Sequence, residues 1–316
     1  MRVYVTRRLP SDCLQSLSTV AEIGMWREEA VPVPDAVLRE EVHSADGLLL
    51  ILTDRVDRSL LDAAPHLRAV STMSVGYDHI DVAACRERGI AVGHTPDVLT
   101  ETTADLCWAL LLGTARRLYQ GQRAVVEGTW GSWAPFYLAG QDVHHKTIGI
   151  VGLGRIGQAV ARRAQGFSMR ILYTGPRPRS EAEPLGALYC SLPTLLAESD
   201  FVVLLAPLRP ETHHLIGSAE LAHMRSDAIL INAGRGALVD EAALVDALAM
   251  ERIWGAGLDV YEREPLPPDH PLLRLPRVVA LPHLGSATVE TRRAMARLAA
   301  ENLADALTGR PMRHPV

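Results

Sequence analysis

Short apolar runs separated by helix-like segments mark the first hundred residues of the chain. The runs are typical of buried strands and occur at Val3–Thr6, Leu48–Thr53, Leu67–Thr72 and Ile90–Gly93. Between the first three runs, apolar residues recur at helical spacing in Asp35–His43 and Ser59–Ala64. Strands that alternate with helices in this way indicate a parallel sheet.

A second series of apolar runs follows a long apolar segment, Leu99–Leu118, which we predict to be a helix with Thr100 or Thr103 as its N-cap. The predicted strands are Thr147–Val151, Arg170–Tyr173, Phe201–Ala206, Ala228–Asn232, Ile253–Val260 and Val278–Leu281. Short, continuously apolar strands are typical of parallel sheets covered on both faces. A final helix is predicted over Thr288–Leu307. The pattern therefore predicts an α/β protein with two doubly wound parallel sheets.

The connection from residue 119 to residue 145 has no clear periodicity and is rich in aromatic residues. It contains Trp130, Trp133, Phe136 and Tyr137 in a chain with only 5% aromatic residues. So long a connection is usually functional or forms an interface. We predict an arm that packs on a second subunit, with a small local core as the alternative.

Three glycines follow the first strand of the second series at the spacing G-x-G-x-x-G. They are Gly152, Gly154 and Gly157, and an amphipathic segment follows them. The first glycine allows a tight turn, the second lets the backbone approach a pyrophosphate, and the third allows close packing of helix and strand. The N-terminus of the helix supplies N–H donors to phosphate. This context predicts a dinucleotide site, and a glycine turn without a ligand is the alternative.

Three polar residues follow successive strands of the second sheet. Arg235, Glu264 and His283 come after the runs that end near residues 232, 260 and 281. Loops at the carboxyl ends of parallel strands meet at one crevice. An arginine binds a carboxylate bidentately, and a histidine oriented by a carboxylate donates a proton, so the set suits the reduction of a 2-keto acid. Each residue alone is equally compatible with a solvated loop.

Composition and charge argue against several classes of function. The 316 residues carry a formal net charge of -5, which gives no electrostatic reason to expect nucleic acid or an anionic membrane as a partner. Cys13, Cys85, Cys107 and Cys190 form no pair or Cys/His cluster at metal-ligand spacing. We therefore expect no metal and no disulfide. The absence of a membrane span or a signal-like apolar segment predicts a cytoplasmic protein.

Five segments resemble the D-isomer-specific 2-hydroxyacid dehydrogenases. They are GLGRIG from Gly152, INAGRGALVD from Ile231, GLDVY from Gly257, EPLP from Glu264, and PHLGSAT ending at Thr288. The likeness extends over essentially the whole chain. Within the family, SVGYDHID, WGSWAP, LYTG and EPLPPDHPLL are most similar to the glyoxylate/hydroxypyruvate reductases.

The resemblance implies a domain organisation. A flavodoxin-like substrate (lid) domain would comprise residues 1–98 and 288–316, and a Rossmann cofactor domain residues 99–287, with a cleft between them. The arm at 119–145 would form a homodimer, and Trp133 would then reach the partner's substrate site.

The resemblance also implies a role for individual residues. His283 would be the proton donor, Glu264 its partner, and Arg235 the ligand of the substrate carboxylate and carbonyl. The backbone N–H groups of Val75 and Gly76 would bind the carboxylate. The remaining cofactor contacts would come from Thr103, Gly152, Gly154, Arg155, Ile156, Gly157, Ala206, Pro207, Ala233, Asp259 and Gly285. Asp259 would lie on the nicotinamide side, and a loop cap is the alternative role for it.

The end of the second Rossmann strand bears on the choice between NADPH and NADH. An NAD site places an acid there to bind the ribose 2′-OH. Here Thr174 is followed by a turn with Arg177, Arg179 and Ser180, and no acid occurs before Glu181. Arginines bind a 2′-phosphate, so we predict NADPH as the preferred cofactor, with NADH possible. A solvated basic turn is the alternative, and Pro176 stands where the reductases would have an arginine.

The function that follows is reduction of glyoxylate to glycolate and of hydroxypyruvate to D-glycerate. A dehydrogenase for a bulkier D-2-hydroxy acid or for phosphite is the alternative on the same fold. A dinucleotide-sensing scaffold, like the corepressor branch of the family, is a more remote one.

Overall fold

A computed structural model describes residues 1–316, which form two compact units. The first unit comprises Met1–Leu99 and Ser286–Val316, and the second comprises Thr100–Gly285. The predicted boundaries, at residues 98/99 and 287/288, differ from these by one or two residues. None of the helices is both long enough and apolar enough to cross a membrane.

The chain contains twelve strands and eleven α-helices. The strands are β1 Arg2–Val5, β2 Glu22–Met25, β3 Gly47–Leu50, β4 Ala69–Thr72, β5 Ala91–Gly93, β6 Thr147–Val151, β7 Arg170–Thr174, β8 Ala187–Tyr189, β9 Phe201–Leu204, β10 Ile229–Asn232, β11 Gly255–Leu258 and β12 Val278–Ala280. The helices are α1 Gln15–Ser18, α2 Asp35–His43, α3 Arg58–Asp62, α4 Val82–Glu87, α5 Thr100–Ala115, α6 Leu118–Val126, α7 Arg155–Gly166, α8 Leu192–Glu198, α9 Ser218–His223, α10 Glu241–Ala249 and α11 Val289–Leu307.

The first unit is built on a five-stranded parallel sheet with the order β2-β1-β3-β4-β5. This is the flavodoxin-like order, as predicted. Helix α11 returns to this sheet, where the buried Asn302 side chain donates to the carbonyl of His94 and accepts from the N–H of His314. The last helix therefore belongs to the fold of the first unit.

The second unit is built on a seven-stranded parallel sheet with the order β12-β11-β10-β9-β6-β7-β8. Its first strand, β6, pairs with both β7 and β9, so the strand order reverses there as in a Rossmann fold. The predicted fold class of both units is confirmed.

Alternate residues of β9 belong to different hydrophobic clusters. Phe201 and Val203 pack with residues of α5 and α7, whereas Val202 and Leu204 pack with residues of α8, α9 and α10. All four side chains are fully buried. The sheet is thus covered on both faces, which explains why its strands read as continuous apolar runs.

Several elements differ from the sequence-based expectation. The helix predicted over Leu99–Leu118 ends at Ala115, because Arg117 takes a left-handed conformation with φ 54° before α6 begins. Helix α6 occupies the start of the connection that we expected to be irregular. The predicted N-cap role of Thr103 is wrong, since α5 begins at Thr100 and Thr103 lies inside it, buried. The short edge strands β2 and β8 were not predicted from the sequence.

Candidate active site

The three glycines of the motif lie between β6 and α7 and differ in how much space surrounds them. Gly152 has φ +100°, and a Cβ there would lie 2.7 Å from the backbone nitrogen of Ala206. A Cβ on Gly157 would lie 2.4 Å from the carbonyl oxygen of Gly152, whereas one on Gly154 would meet no atom within 4 Å. Gly152 and Gly157 are therefore required by packing. The space beyond Gly154, at the N-terminus of α7, is open to a ligand.

The other predicted cofactor residues of the second unit lie at the ends of its strands or beside the loop of His283. Gly152 donates its N–H to the carbonyl of Thr174 at 3.0 Å, and Arg155 and Ile156 are the first residues of α7. Ala206 and Pro207 follow β9, and Ala233 follows β10. Thr103 lies beside Gly285, since a Cβ on Gly285 would be 3.7 Å from the hydroxyl of Thr103. These positions line the carboxyl ends of the strands, where doubly wound sheets bind ligands.

The turn after β7 is exposed and held by two tyrosines. The hydroxyl of Tyr173 accepts the N–H of Arg179 at 2.8 Å, and the hydroxyl of Tyr189 donates to the carbonyl of Gly175 at 3.1 Å. Arg177, Arg179 and Ser180 are all exposed. The pKa of Glu181 lies below its usual value because its own backbone N–H, Ser180 and the two arginines stabilise the carboxylate. The turn therefore presents positive charge on a fixed backbone.

His283 and Glu264 form a close pair. Nδ1 of His283 lies 2.7 Å from Oε2 of Glu264, and each side chain is about a quarter exposed, at 24% and 26%. Burial alone would raise the pKa of Glu264, but the hydrogen bond and charge of His283, the N–H of Tyr261 and the charge of Arg235 together hold it below its usual value. Glu264 is thus a carboxylate at neutral pH, and it leaves Nε2 of His283 as the nitrogen that can serve a substrate.

Arg235 is presented by a short segment after β10 that Asn232 fixes. The buried Asn232 side chain donates to the carbonyl of Arg235 at 2.9 Å and accepts the N–H of Gly234 at 3.1 Å. The guanidinium of Arg235 donates to the carbonyl of Gly234 at 3.0 Å. The charge of Arg235 contributes to the lowered pKa of Glu264. The structure therefore pairs His283 with Glu264 and places Arg235 where its charge acts on that pair.

Gly236 joins the Arg235 segment to the segment that carries Glu264. A Cβ on Gly236 would lie 1.8 Å from the carbonyl carbon of Tyr261 and 2.3 Å from the nitrogen of Glu262. The N–H of Tyr261 donates to Oε1 of Glu264 at 3.1 Å, and its hydroxyl donates to the carbonyl of Leu281 at 3.0 Å. The backbone of one segment thus packs directly on that of the other. This contact depends on the absence of a side chain at Gly236.

Asp259 holds the loop on which His283 lies. Its side chain is 1% exposed, and its two oxygens accept the N–H groups of Leu284 and Gly285 at 2.7 and 2.8 Å. The N–H of His283 donates to the carbonyl of Asp259 at 2.9 Å. His283 has φ +55°, a conformation uncommon for non-glycine residues, and these three hydrogen bonds enforce it. The structure thus shows Asp259 as a cap of this loop.

We expect Asp259 to give the protein a measurable pH dependence of stability. Burial raises its pKa to about 6, although the two N–H groups and the charge of His283 oppose the rise. Because the folded-state pKa exceeds that of an unfolded aspartate, the folded state binds the proton more tightly, and stability rises as pH falls through 6. Between pH 7 and pH 5 the free energy of unfolding should gain about 1 kcal/mol from this group. Urea unfolding at both pH values measures it.

The Asp259→Asn variant is the control for this prediction. It removes the ionisation, so the difference in unfolding free energy between it and the wild type should change with pH by the same amount. If both proteins show the same pH dependence, the assignment of this proton to Asp259 is wrong.

Val75 and Gly76 lie in the first unit, in the loop after β4. The carbonyl of Val75 contacts Nδ1 of His94 at 2.8 Å, and the carbonyl of Gly76 accepts from the hydroxyl of Ser74 at 2.6 Å. Both carbonyls are thus bound to protein groups. An anion at this loop would be bound through the amide side of the backbone.

The aromatic residues of the predicted arm are strongly exposed. The exposed fractions are 56% for Trp130, 80% for Trp133, 86% for Phe136 and 46% for Tyr137. The alternative that we considered, a small local core formed by these side chains, is wrong because so little of their surface is covered.

Three residues that hold the segments of Arg235 and Glu264 in place were not predicted from the sequence: Asn232, Gly236 and Tyr261. Asn232 could have been predicted as a site residue, because it is a polar residue at the end of the apolar run AILIN. Gly236 and Tyr261 lie inside segments that resemble the family. Their role could not be predicted, because it depends on a contact between residues far apart in the chain.

The second unit matches the model of the D-isomer specific 2-hydroxyacid dehydrogenase NAD-binding domain over residues 108–285. The chain belongs to this family.

Its relatives include reductases of small keto acids. The glyoxylate reductase of Korarchaeum cryptofilum is 50% identical over 304 residues, which cover 96% of this chain and 91% of the relative. The glyoxylate/hydroxypyruvate reductase B of Klebsiella pneumoniae is 52% identical over 313 residues, covering 97% and 95%. Among solved structures, the NADPH-dependent glyoxylate/hydroxypyruvate reductase of Sinorhizobium meliloti, in complex with NADP and malonate, is 36% identical with a TM-score of 0.87, covering 100% of this chain and 96% of that one.

Proposed function

We propose that the protein is an NADPH-dependent reductase that converts glyoxylate to glycolate and hydroxypyruvate to D-glycerate. The observation that carries the proposal is the His283–Glu264 pair at 2.7 Å, close to Arg235 and in the same unit as the open glycine turn. The two bacterial and archaeal relatives at about half identity, named as reductases of these acids, support the substrate class.

The residues of the chain would share the chemistry as follows. Bound NADPH supplies the hydride that the keto carbon accepts. Nε2 of His283 donates a proton to the carbonyl oxygen as negative charge develops there, while Glu264 holds the ring through Nδ1. Arg235 binds the substrate carboxylate and polarises the carbonyl. We assign to the first unit the substrate-binding (lid) role, through the N–H groups of Val75 and Gly76.

The residues that would hold the cofactor suit its chemical groups. The open space at Gly154 and the helix N-terminus at Arg155 and Ile156 suit a pyrophosphate. Thr174 and the exposed basic turn suit a 2′-phosphate. Thr103, Gly285 and Asp259 lie together near His283, as expected for residues on the nicotinamide side.

Initial rates of NADPH and NADH oxidation with four keto acids test the proposal. We expect fast oxidation of NADPH with glyoxylate and hydroxypyruvate, and slow oxidation with pyruvate and with an aromatic keto acid. Preference for the aromatic acid, or reduction of NADP⁺ or NAD⁺ by phosphite in a separate assay, would leave the roles of His283, Glu264 and Arg235 in place and replace the substrate. Tight cofactor binding without any turnover would favour a dinucleotide-sensing scaffold.

Replacing both Arg177 and Arg179 by alanine should weaken NADPH binding far more than NADH binding. The two guanidiniums are exposed and bracket the turn that would receive the 2′-phosphate, a group that NADH lacks. We expect the dissociation constant of NADPH, measured by fluorescence titration, to rise about 10- to 100-fold, as for the loss of one or two charge-assisted contacts.

The Arg162→Ala variant is a matched control, because Arg162 is an exposed arginine of the same unit that pairs with Glu101. Equal weakening of NADPH and NADH by the double substitution would show that the basic turn faces solvent.

We also propose that the protein is a homodimer formed through the aromatic arm, and that Trp133 extends toward the partner's substrate site. Support comes from the exposure of Trp133 and Phe136, at 80% and 86%, which are the two most exposed large apolar side chains of the chain and lie three residues apart. The four unpaired cysteines fit a reducing cytoplasm.

Replacing Trp133 and Phe136 together by serine should convert the dimer to a monomer, because it removes the largest exposed apolar surfaces of the arm. Sedimentation at micromolar concentration measures the change. Met250→Ser, at a residue 62% exposed and distant in sequence from the arm, is the control and should leave the assembly unchanged. A wild-type protein that sediments as a monomer would contradict the proposal.

A further inference from the structure

Two glutamates and two histidines form a cluster beside the segment that carries Glu264. Nε2 of His214 lies 2.7 Å from Oε1 of Glu262, and Nε2 of His270 lies 3.0 Å from Oε1 of Glu241. None of these four residues belongs to the proposed catalytic trio. Glu262 and His270 lie on the connection between β11 and β12, whereas His214 follows β9 and Glu241 begins α10.

The two glutamates bind each other's backbone. The N–H of Glu241 donates to Oε1 of Glu262 at 3.2 Å, and the N–H of Glu262 donates to Oε2 of Glu241 at 3.3 Å. Glu241 is the first residue of α10, where a negative side chain is stabilised by the helix dipole. The reciprocal bonds fix the Glu262 backbone against the N-terminus of α10.

Two carboxylates held this close would repel each other without counterions, and the imidazoles supply donors to both. Nδ1 of His270 accepts the N–H of Leu272 at 3.4 Å, so the proton lies on Nε2, which donates to Glu241. The ring of His214 stacks on that of His213 with centroids 4.0 Å apart, and its backbone N–H donates to the carbonyl of Ala237 at 2.8 Å. His214 therefore links Glu262 to the segment that follows Arg235.

The position of Glu262 in the chain connects the cluster to the His283–Glu264 pair. It lies two residues before Glu264 and directly after Tyr261, whose N–H donates to Oε1 of Glu264. A displacement of the Glu262 backbone would displace both Tyr261 and Glu264, the donor and the acceptor of that hydrogen bond. Glu264 would then no longer meet Nδ1 of His283 at 2.7 Å, and proton donation depends steeply on such alignment.

We propose that Glu262 is a positioning residue that, paired with Glu241 and His214, holds Glu264 in register with His283. The inference rests on the proposed function for its effect on turnover. The hydrogen bonds of Glu262 join residues of one unit, so their effect on the His283–Glu264 pair can be measured without a substrate.

Replacing Glu262 by alanine and by glutamine tests the role kinetically. We expect Glu262→Ala to lower kcat for glyoxylate about tenfold, with KM and the NADPH dissociation constant within about twofold of wild type, because only alignment of the proton donor is impaired. Glu262→Gln keeps an oxygen that accepts from His214 and Glu241, and should restore most of kcat. Glu251→Ala is the matched control, since Glu251 is an exposed glutamate of the same unit that pairs with Arg277.

A spectroscopic readout separates this inference from the proposed function. The Nδ1–H proton of His283, held in the 2.7 Å hydrogen bond to Glu264, should give a downfield proton resonance that is absent in His283→Asn. We expect it in wild type and Glu262→Gln, and expect it broadened or lost in Glu262→Ala, whether or not the protein reduces glyoxylate. An unchanged resonance in Glu262→Ala overturns the proposal, and so does a kcat equal to that of wild type. The proposal is also overturned if kcat, KM and thermal stability all change together in Glu262→Ala and Glu262→Gln does not restore them.

Discussion

The His283→Asn variant should lose catalysis while it keeps the fold and the cofactor site. We expect kcat for glyoxylate to fall about 10²- to 10⁴-fold, the usual contribution of a general acid. Asparagine tolerates the left-handed conformation that His283 adopts at φ 55°, so the backbone held by Asp259 stays in place. It has no group that can replace Nε2 as proton donor. Steady-state kinetics and NADPH titration measure both expectations.

Cofactor affinity is the internal control for this variant, because His283 is bound to Glu264 and lies at a different loop from the glycine turn. His223→Asn is the external control, since His223 is an exposed histidine that contacts only a helix carbonyl in the described hydrogen bonds. If His283→Asn retained wild-type kcat, another group would have to donate the proton.

The Gly236→Ala variant should be the most damaging single-methyl change in the second unit. The added carbon would lie 1.8 Å from the carbonyl carbon of Tyr261, a distance that the backbone must open. Opening it separates the segment of Arg235 from that of Glu264. We expect kcat/KM to fall more than about 100-fold, as for a misplacement of about 1 Å at reacting groups. We also expect a loss of about 1–3 kcal/mol in unfolding free energy, as for overpacking.

Gly154→Ala supplies the contrast. Apart from its chain neighbours, no protein atom would lie within 4 Å of the added carbon, so stability should fall by no more than about 1 kcal/mol, from the loss of a glycine N-cap of α7. NADPH binding should weaken because the methyl group enters the space proposed for the pyrophosphate. Wild-type kinetics in Gly236→Ala would mean that the two segments move apart without consequence, and would contradict the role assigned to this contact.

The pairing of His283 with Glu264 could be predicted from the sequence because Arg235, Glu264 and His283, the proposed catalytic trio, each follow a strand of a parallel sheet. The apolar runs located the strands, and the topology of such sheets brings their carboxyl ends together. The hydrogen bonds that orient the trio could not be predicted in this way. Asn232 and Tyr261 act through backbone groups, and Gly236 acts through the absence of a side chain, so no residue type marks their partners.

The missed strands have a common physical reason. Strands β2 and β8 lie at the edges of their sheets, where one side of the strand has no neighbour and the side chains are less buried. Glu22–Met25 contains glycine and an exposed glutamate, so it lacks the continuous apolar run of a central strand. The fold class was nevertheless predictable, because the central strands determine the order.

The turn that carries Arg177 and Arg179 belongs to the surface of the second unit and to none of its hydrophobic clusters. Its backbone is held by the hydroxyl groups of Tyr173 and Tyr189, and the residues between them are exposed. Mutations in this turn therefore meet little selection for stability. If this turn binds the 2′-phosphate as we propose, coenzyme preference can drift or be re-engineered within a lineage while the glycine turn and the proposed catalytic trio remain unchanged.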